Sequence, residues 1–183
     1  GLPDGCVDAD TLAAGAAVPA DGSITAAKLA SGAITRSVLP AGSVLQTVQV
    51  TTTTQTENAF SSQQTFLTAS ITPTDNNNKI LVNVNNGGCG SRDTSTWWKL
   101  RVKRDGSLIR GIASYIGGYG SGSGREDYPN FSFLDSPGTT NAITYTVVGD
   151  RSSGGANCYH NHHDSSGTNS QAQSSITLME IAV

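Results

Sequence analysis

His160, His162 and His163 are the chain's three histidines and lie within four positions of one another, with Asp164 next in line. In an extended segment residues 160 and 162 project to the same side, so imidazoles contributed by several chains around a common axis could surround an ion. Neutral imidazole suits zinc, nickel or iron, and Asp164 could accept a hydrogen bond from behind a ligating ring. Such a site would release its ion below about pH 6.5, where imidazoles take up protons. A solvent-facing polar loop accounts for the same four residues with no ligand, and no other cofactor is expected.

Aromatic side chains are the other candidates for recognition. In the run 96–104, TWWKLRVKR, alternation places Trp98 with Leu100 and Val102 on one face, and Trp97 with Lys99, Arg101 and Lys103 on the other. An outward indole offers a platform for a sugar ring; the same indole would equally fill an interface with another subunit. Tyr115, Tyr119 and Tyr128 flank the stretch 117–129, GGYGSGSGREDYP, which reads as an exposed loop. Trp97, Tyr115, Tyr119 and Tyr128 are therefore the candidate ligand or receptor contacts.

Catalytic chemistry finds little footing, and the chain is expected not to be an enzyme. No G-x-S-x-G elbow is present, and Gly120–Gly124 lacks the lysine and the strand-to-helix setting of a phosphate loop. Acidic residues after position 43 are scattered; the adjacent pair Glu126 and Asp127 sits in loop-type sequence and reads as solvated charge rather than a glycosidase pair. Cys6, Cys89 and Cys158 are too dispersed for a zinc site and odd in number, so they cannot all pair within one chain. A Cys89–Cys158 bridge and buried thiols are both compatible with the spacing.

Charged residues make up 14% of the 183-residue chain, about half of ordinary usage, so neutral polar groups must carry solubility. A net charge of −3 offers no overall basic field for a phosphate backbone, and nucleic acid is not an expected partner. The apolar runs are far shorter than the ~20 residues that span a bilayer, so no membrane insertion is expected.

The elements that must position these residues differ before and after residue 42. Gly5-Cys-Val-Asp-Ala-Asp-Thr-Leu12, Gly22-Ser-Ile-Thr-Ala-Ala-Lys-Leu29 and Gly32-Ala-Ile-Thr-Arg-Ser-Val-Leu39 share the pattern G-x-[VI]-[DT]-x-x-x-L. Each glycine turns the chain and each Asp or Thr can cap a short helical turn ending in leucine. A unit this small cannot bury its own apolar side chains. It must stack on neighbours or on other copies, with Val7, Leu12, Ile24, Leu29, Ile34 and Leu39 in a shared core. Residues 1–42 thus read as a repetitive oligomeric stalk that requires more than one chain.

From residue 43 onward the apolar period becomes two. Strands are expected near 44–50, 64–72, 79–85, 96–104, 107–112, 130–134, 142–148, 156–160 and 174–182, with Asp75–Asn78 as a turn and Asp105-Gly106 as a hairpin signal. Short strands, Gly/Asn/Ser turns and no long helical pattern make residues 43–183 a mainly β head, an antiparallel β-sandwich or jelly roll.

The run GSITAAKLASGAIT, then LPAGSVLQTVQV, SITPTDNNNKILVNV, GSLIRG, TYTVVGDRS and the closing SSITLMEIAV resemble the C-terminal stalk-and-head region of phage tail-fibre and capsid-fibre (decoration) proteins of marine and cyanobacterial phages. The resemblance spans nearly the whole chain and is most specific in the closing strand and the ITP-to-KILV segment. It departs from the family at Cys158–Asp164, where a neutral or Arg-containing loop is usual. The resemblance implies a homotrimeric virion structural protein on the exterior of tail or capsid, joined to other virion proteins on its N-terminal side. Its head would assist attachment to the host cell surface, with a surface glycan as partner. The alternatives are a capsid decoration protein with no dedicated receptor, and a cell-made surface adhesin or filament subunit.

Overall fold

A computed structural model of the chain describes residues 38–58, 62–91, 97–112, 125–153, 158–161 and 172–183. The chain divides between Leu39 and Pro40 into two units. Among the described residues every regular element belongs to the second unit and is a strand: β1 (Val44–Thr52), β2 (Thr56–Asn58), β3 (Gln64–Ile71), β4 (Lys79–Asn85), β5 (Cys89–Ser91), β6 (Trp97–Arg104), β7 (Ser107–Ile112), β8 (Arg125–Asp127), β9 (Phe131–Asp135), β10 (Ile143–Ser153), β11 (Cys158–His160) and β12 (Ser174–Ile181). No helix among these residues is long and apolar enough to cross a membrane.

Eight of the strands are five residues or longer, and all of their pairings are antiparallel. They form two sheets in the orders β1-β12-β4-β9 and β3-β10-β6-β7. The first long strand pairs with the last, the second with the seventh, the third with the sixth and the fourth with the fifth. This nested pairing is a long hairpin folded over on itself, the connectivity of a jelly roll.

The alternation read from the sequence explains the layers. Ile80, Val82 and Val84 of β4 and Ile176 and Leu178 of β12 face Leu67, Ala69 and Ile71 of β3, Leu100 and Val102 of β6, and Ile143, Tyr145 and Val147 of β10, all buried in one contiguous core. Val48, Val50, Phe131, Phe133 and Ile109 close its margins. At ~25 cal/mol per Å² of apolar surface removed from water, this shared layer is what holds the two sheets face to face.

The nested topology gives the head two distinct ends. At one, which we call the base, the β3–β4, β6–β7 and β9–β10 connections meet the points where the chain enters and leaves. There Gly42 N donates to Ala182 O at 2.8 Å and Ala182 N to Ser43 O at 2.9 Å. Asp105 (φ 47°) and Gly106 (φ 82°) make the expected two-residue hairpin turn, and Asp105 Oδ1 accepts from Thr144 N at 2.9 Å to tie that turn to β10.

At the opposite, distal end lie the other four long connections. Each contributes one three-residue strand, and these form a third sheet in the order β2-β11-β5-β8. That order copies β1-β12-β4-β9, because each short strand sits in the connection adjoining the corresponding long one. The stretch 117–129 reads as loop throughout in the sequence; Arg125–Asp127 instead pair with β5 as β8.

Candidate functional site

His160 ends β11, and only 1% of its surface is exposed. Its ring stacks on Phe66 of β3, centroids 4.1 Å apart and planes 5° from parallel, and its Nε2 lies 3.0 Å from Ser174 Oγ at the start of β12. The imidazole therefore points into its own chain, against Phe66 and Ser174. His162 and His163 lie outside the described residues. Among the described residues no three His, Cys, Asp or Glu side chains are grouped to hold a metal ion.

The hydrogen bonds around Ser174 fix the protonation of that ring. Asn161, in the left-handed region at φ 53°, donates from Nδ2 to the carbonyls of Thr52 (3.0 Å) and Thr54 (3.2 Å), so its Oδ1 is the atom turned to Ser174. Ser174 donates its one proton to that Oδ1, and its oxygen then accepts from Gly87 N at 2.9 Å and from His160 Nε2. His160 is thus the neutral tautomer protonated on Nε2, and burial pushes its pKa down to about 4. A buried Ser–His pair of this polarity, with the hydroxyl proton directed away from the imidazole, is arranged for support and not for nucleophilic attack.

Around this pair Cys89 Sγ donates to Asn86 Oδ1 at 2.9 Å, and Asn86 N donates to Asn130 Oδ1 at 2.7 Å. The network joins the connections that leave β1 and β4 with the start of β12. Cys89 and Cys158 are both buried as thiols, while Cys6 lies outside the described residues.

Of the aromatic candidates, Tyr128 is exposed on the connection between β8 and β9. Trp97 is the first residue of β6, opposite Ser153 of β10. Tyr115 and Tyr119 lie outside the described residues, as do the stalk positions Val7, Leu12, Ile24, Leu29 and Ile34; Leu39 is exposed just before the head.

At the base, Glu180 carries a heavily bonded side chain. It is fully buried, and its carboxylate accepts from Thr74 N (2.6 Å), Thr74 Oγ1 (2.7 Å), Asn78 Nδ2 (2.7 Å) and Gln46 Nε2 (2.6 Å). Burial alone would raise its pKa, but these four donors outweigh it and hold the group below the usual carboxylate value. Nearby, Asp135 Oδ2 accepts from Tyr145 Oη at 2.6 Å and from Arg104 Nη1 at 2.7 Å; burial and then the bond to Asp135 push the phenol's pKa up. No sequence pattern marks Glu180, since an isolated acid in a closing strand looks like any solvent-facing residue.

The outward faces of the two long sheets differ in kind. On β1-β12-β4-β9 the rows Thr47–Met179–Leu81–Leu134, Gln49–Thr177–Asn83–Ser132 and Thr51–Ser175–Asn85 hold no charged residue, and a fourth row, Val44–Ile181–Lys79, puts one lysine at the base end of the face. On β3-β10-β6-β7 they run Thr68–Thr146–Lys103–Leu108, Thr65–Val148–Arg101–Gly111 and Asp150–Lys99.

No protein-family model and no curated protein matches the chain. Similar solved structures include the VP2 protein of infectious bursal disease virus in T=1 particles, at 14% identity over 77% of this chain and TM-score 0.39. Another is the Gt strain of that virus, at 12% identity over 77% and TM-score 0.38. Dimeric latent PorU from Porphyromonas gingivalis is similar at 10% identity over 78% and TM-score 0.34. The chain spans 37% of the first of these proteins, 39% of the second and 14% of the third.

Proposed function

We propose that the chain is a structural protein of a virus particle, a phage fibre or spike segment whose N-terminal repeats hold three copies together. Its jelly-roll head is presented to the surface of the host cell. The observation that carries this reading is the polarity of the head. The chain enters and leaves at the base, where Gly42 and Ser43 are hydrogen bonded to Ala182, and all four long connections gather at the opposite end. A head that the chain enters and leaves at one end, with its long connections at the other, is suited to display.

Three rows on the outer face of β1-β12-β4-β9 carry no charge, with Lys79 alone at the base end of that face, and this supports the trimer. Interface centres are depleted of charge, and Leu134, 57% exposed, and the half-buried Met179 and Leu81 lie side by side there. A second copy of the chain is the occupant this face suits.

Cryo-electron microscopy of the particle that carries the protein tests the reading. Head density in threefold clusters at the free end of a tail appendage is the expected result. Copies on the capsid lattice would instead make shell decoration the function, and a particle without the protein would overturn both.

A further inference from the structure

Five of the chain's eleven lysines and arginines, Lys99, Arg101, Lys103, Arg104 and Arg110, fall on the single hairpin β6–β7. Leu100 and Val102 are fully buried, so Lys99, Arg101 and Lys103 stand in file on the outer face of the sheet, about 7 Å from one to the next. Arg101 Nη1 pairs with Asp150 Oδ2 at 3.0 Å; among the described residues Lys99 and Lys103 have no carboxylate partner. Three like charges in line repel, and a fold with only 14% charged residues has neutral polar side chains to put there instead.

Hydroxyls border the file. Thr146 stands beside Lys103, Thr68 lies beyond it, and Ser70 Oγ meets Thr144 Oγ1 at 2.9 Å in the next row. On the other side Gly111 lies opposite Arg101, and a Cβ added there would meet nothing nearer than Arg101 Cγ at 4.0 Å, leaving a gap beside Arg101, while the exposed Leu108 lies opposite Lys103.

We propose that this strip of cations and hydroxyls binds an acidic polysaccharide, with Lys99, Arg101 and Lys103 engaging successive carboxylate or sulfate groups and the threonine and serine hydroxyls engaging the sugars. Duplex DNA is the poorer match. It carries a charge every ~1.7 Å and calls for a broader basic field than one file on a chain of net charge −3. The inference rests on the attachment reading only for where such a polymer would be met, on a cell surface.

The full chain is titrated calorimetrically with dextran sulfate, polygalacturonate, neutral dextran and a DNA duplex, each at low and at physiological salt. Saturable, salt-weakened binding of one or both acidic polysaccharides, with none of neutral dextran, is expected; which of the two binds assigns sulfate or carboxylate as the recognised group. The double variant Lys99→Gln/Lys103→Gln should lose at least about tenfold in affinity. Gly111→Glu, which adds a carboxylate to the strip and removes no native contact, should do the same, while Lys79→Gln on the other sheet should leave affinity unchanged. No binding by the wild type, equal binding by both strip variants, or tighter binding of DNA than of either polysaccharide would overturn the proposal. Polymer binding is independent of where the protein sits on a particle. If the strip behaves as expected while imaging places the head against the shell, the attachment reading alone falls.

Discussion

Two buried titratable groups at opposite ends of the head set its response to acid. Glu180 has a folded pKa below its ordinary 4.5, so its stabilisation is complete above that value and is lost as pH falls through the folded one. His160 also titrates lower when folded, about 4 against 6.5. Between those values the unfolded chain binds the extra proton, and stability drops with pH by on the order of 3 kcal/mol in total. Urea unfolding as a function of pH should show a decline beginning near pH 6.5, and His160→Gln should flatten it between pH 6.5 and 4. A slope unaltered by that substitution would mean that the ring is not held neutral. Glu180→Gln turns one acceptor oxygen into a donor facing other donors and should cost about 2–4 kcal/mol at pH 7, read as a lower urea midpoint. In that variant the component of acid loss below pH 4.5 should disappear.

At the scale of strands, the long elements are legible because their apolar residues alternate. The Ile80–Val84 and Leu100–Val102 patterns and the Asp105-Gly106 turn each state their face locally. The three-residue strands β2, β5 and β8 are not legible, since three residues define no period and their pairing is imposed by the long strands around them. For the same reason His160 reads as part of a polar loop; its burial depends on Phe66 and Ser174, which are not its neighbours in sequence. Lys99, Arg101 and Lys103 can be assigned to one face from sequence, but the hydroxyls beside them come from β3 and β10 and need the register. Close approach at the distal end gives a sharp test of that register. A Cβ on Gly87 would lie 2.5 Å from Gln173 N and 2.7 Å from its carbonyl carbon and oxygen, so Gly87→Ala must push the β4 exit away from the start of β12. It should cost about 1–3 kcal/mol, measured by chemical denaturation with an unchanged m-value. Gly111→Ala, in open space on β7, should stay within about 0.5 kcal/mol of wild type or gain slightly from the lower entropy of the unfolded chain.

For the whole molecule, folding and assembly draw on different parts of the chain. The head encloses its own core between two four-stranded sheets, whereas each N-terminal repeat carries only two or three large apolar residues and, in the proposed stalk, would depend on neighbours. A fragment beginning at Pro40 should therefore keep the β-type circular dichroism and cooperative melting of the full chain yet sediment as a monomer at concentrations where the full chain is a trimer. In the trimer proposed above, the sheet face around Leu81, Leu134 and Met179 would supply only a weak contact, and the repeats would raise its effective concentration by holding three heads together. Placing a charge on that face separates the two contributions. Leu134 is 57% exposed on the edge strand β9, so Leu134→Glu leaves the core intact. In the full chain it should lower the temperature at which the trimer dissociates, while the thermal unfolding of the Pro40 fragment carrying the same change should shift by no more than a few degrees. If light scattering finds the full-length variant as resistant to dissociation as wild type, the three heads meet through another face and the repeats alone carry the assembly.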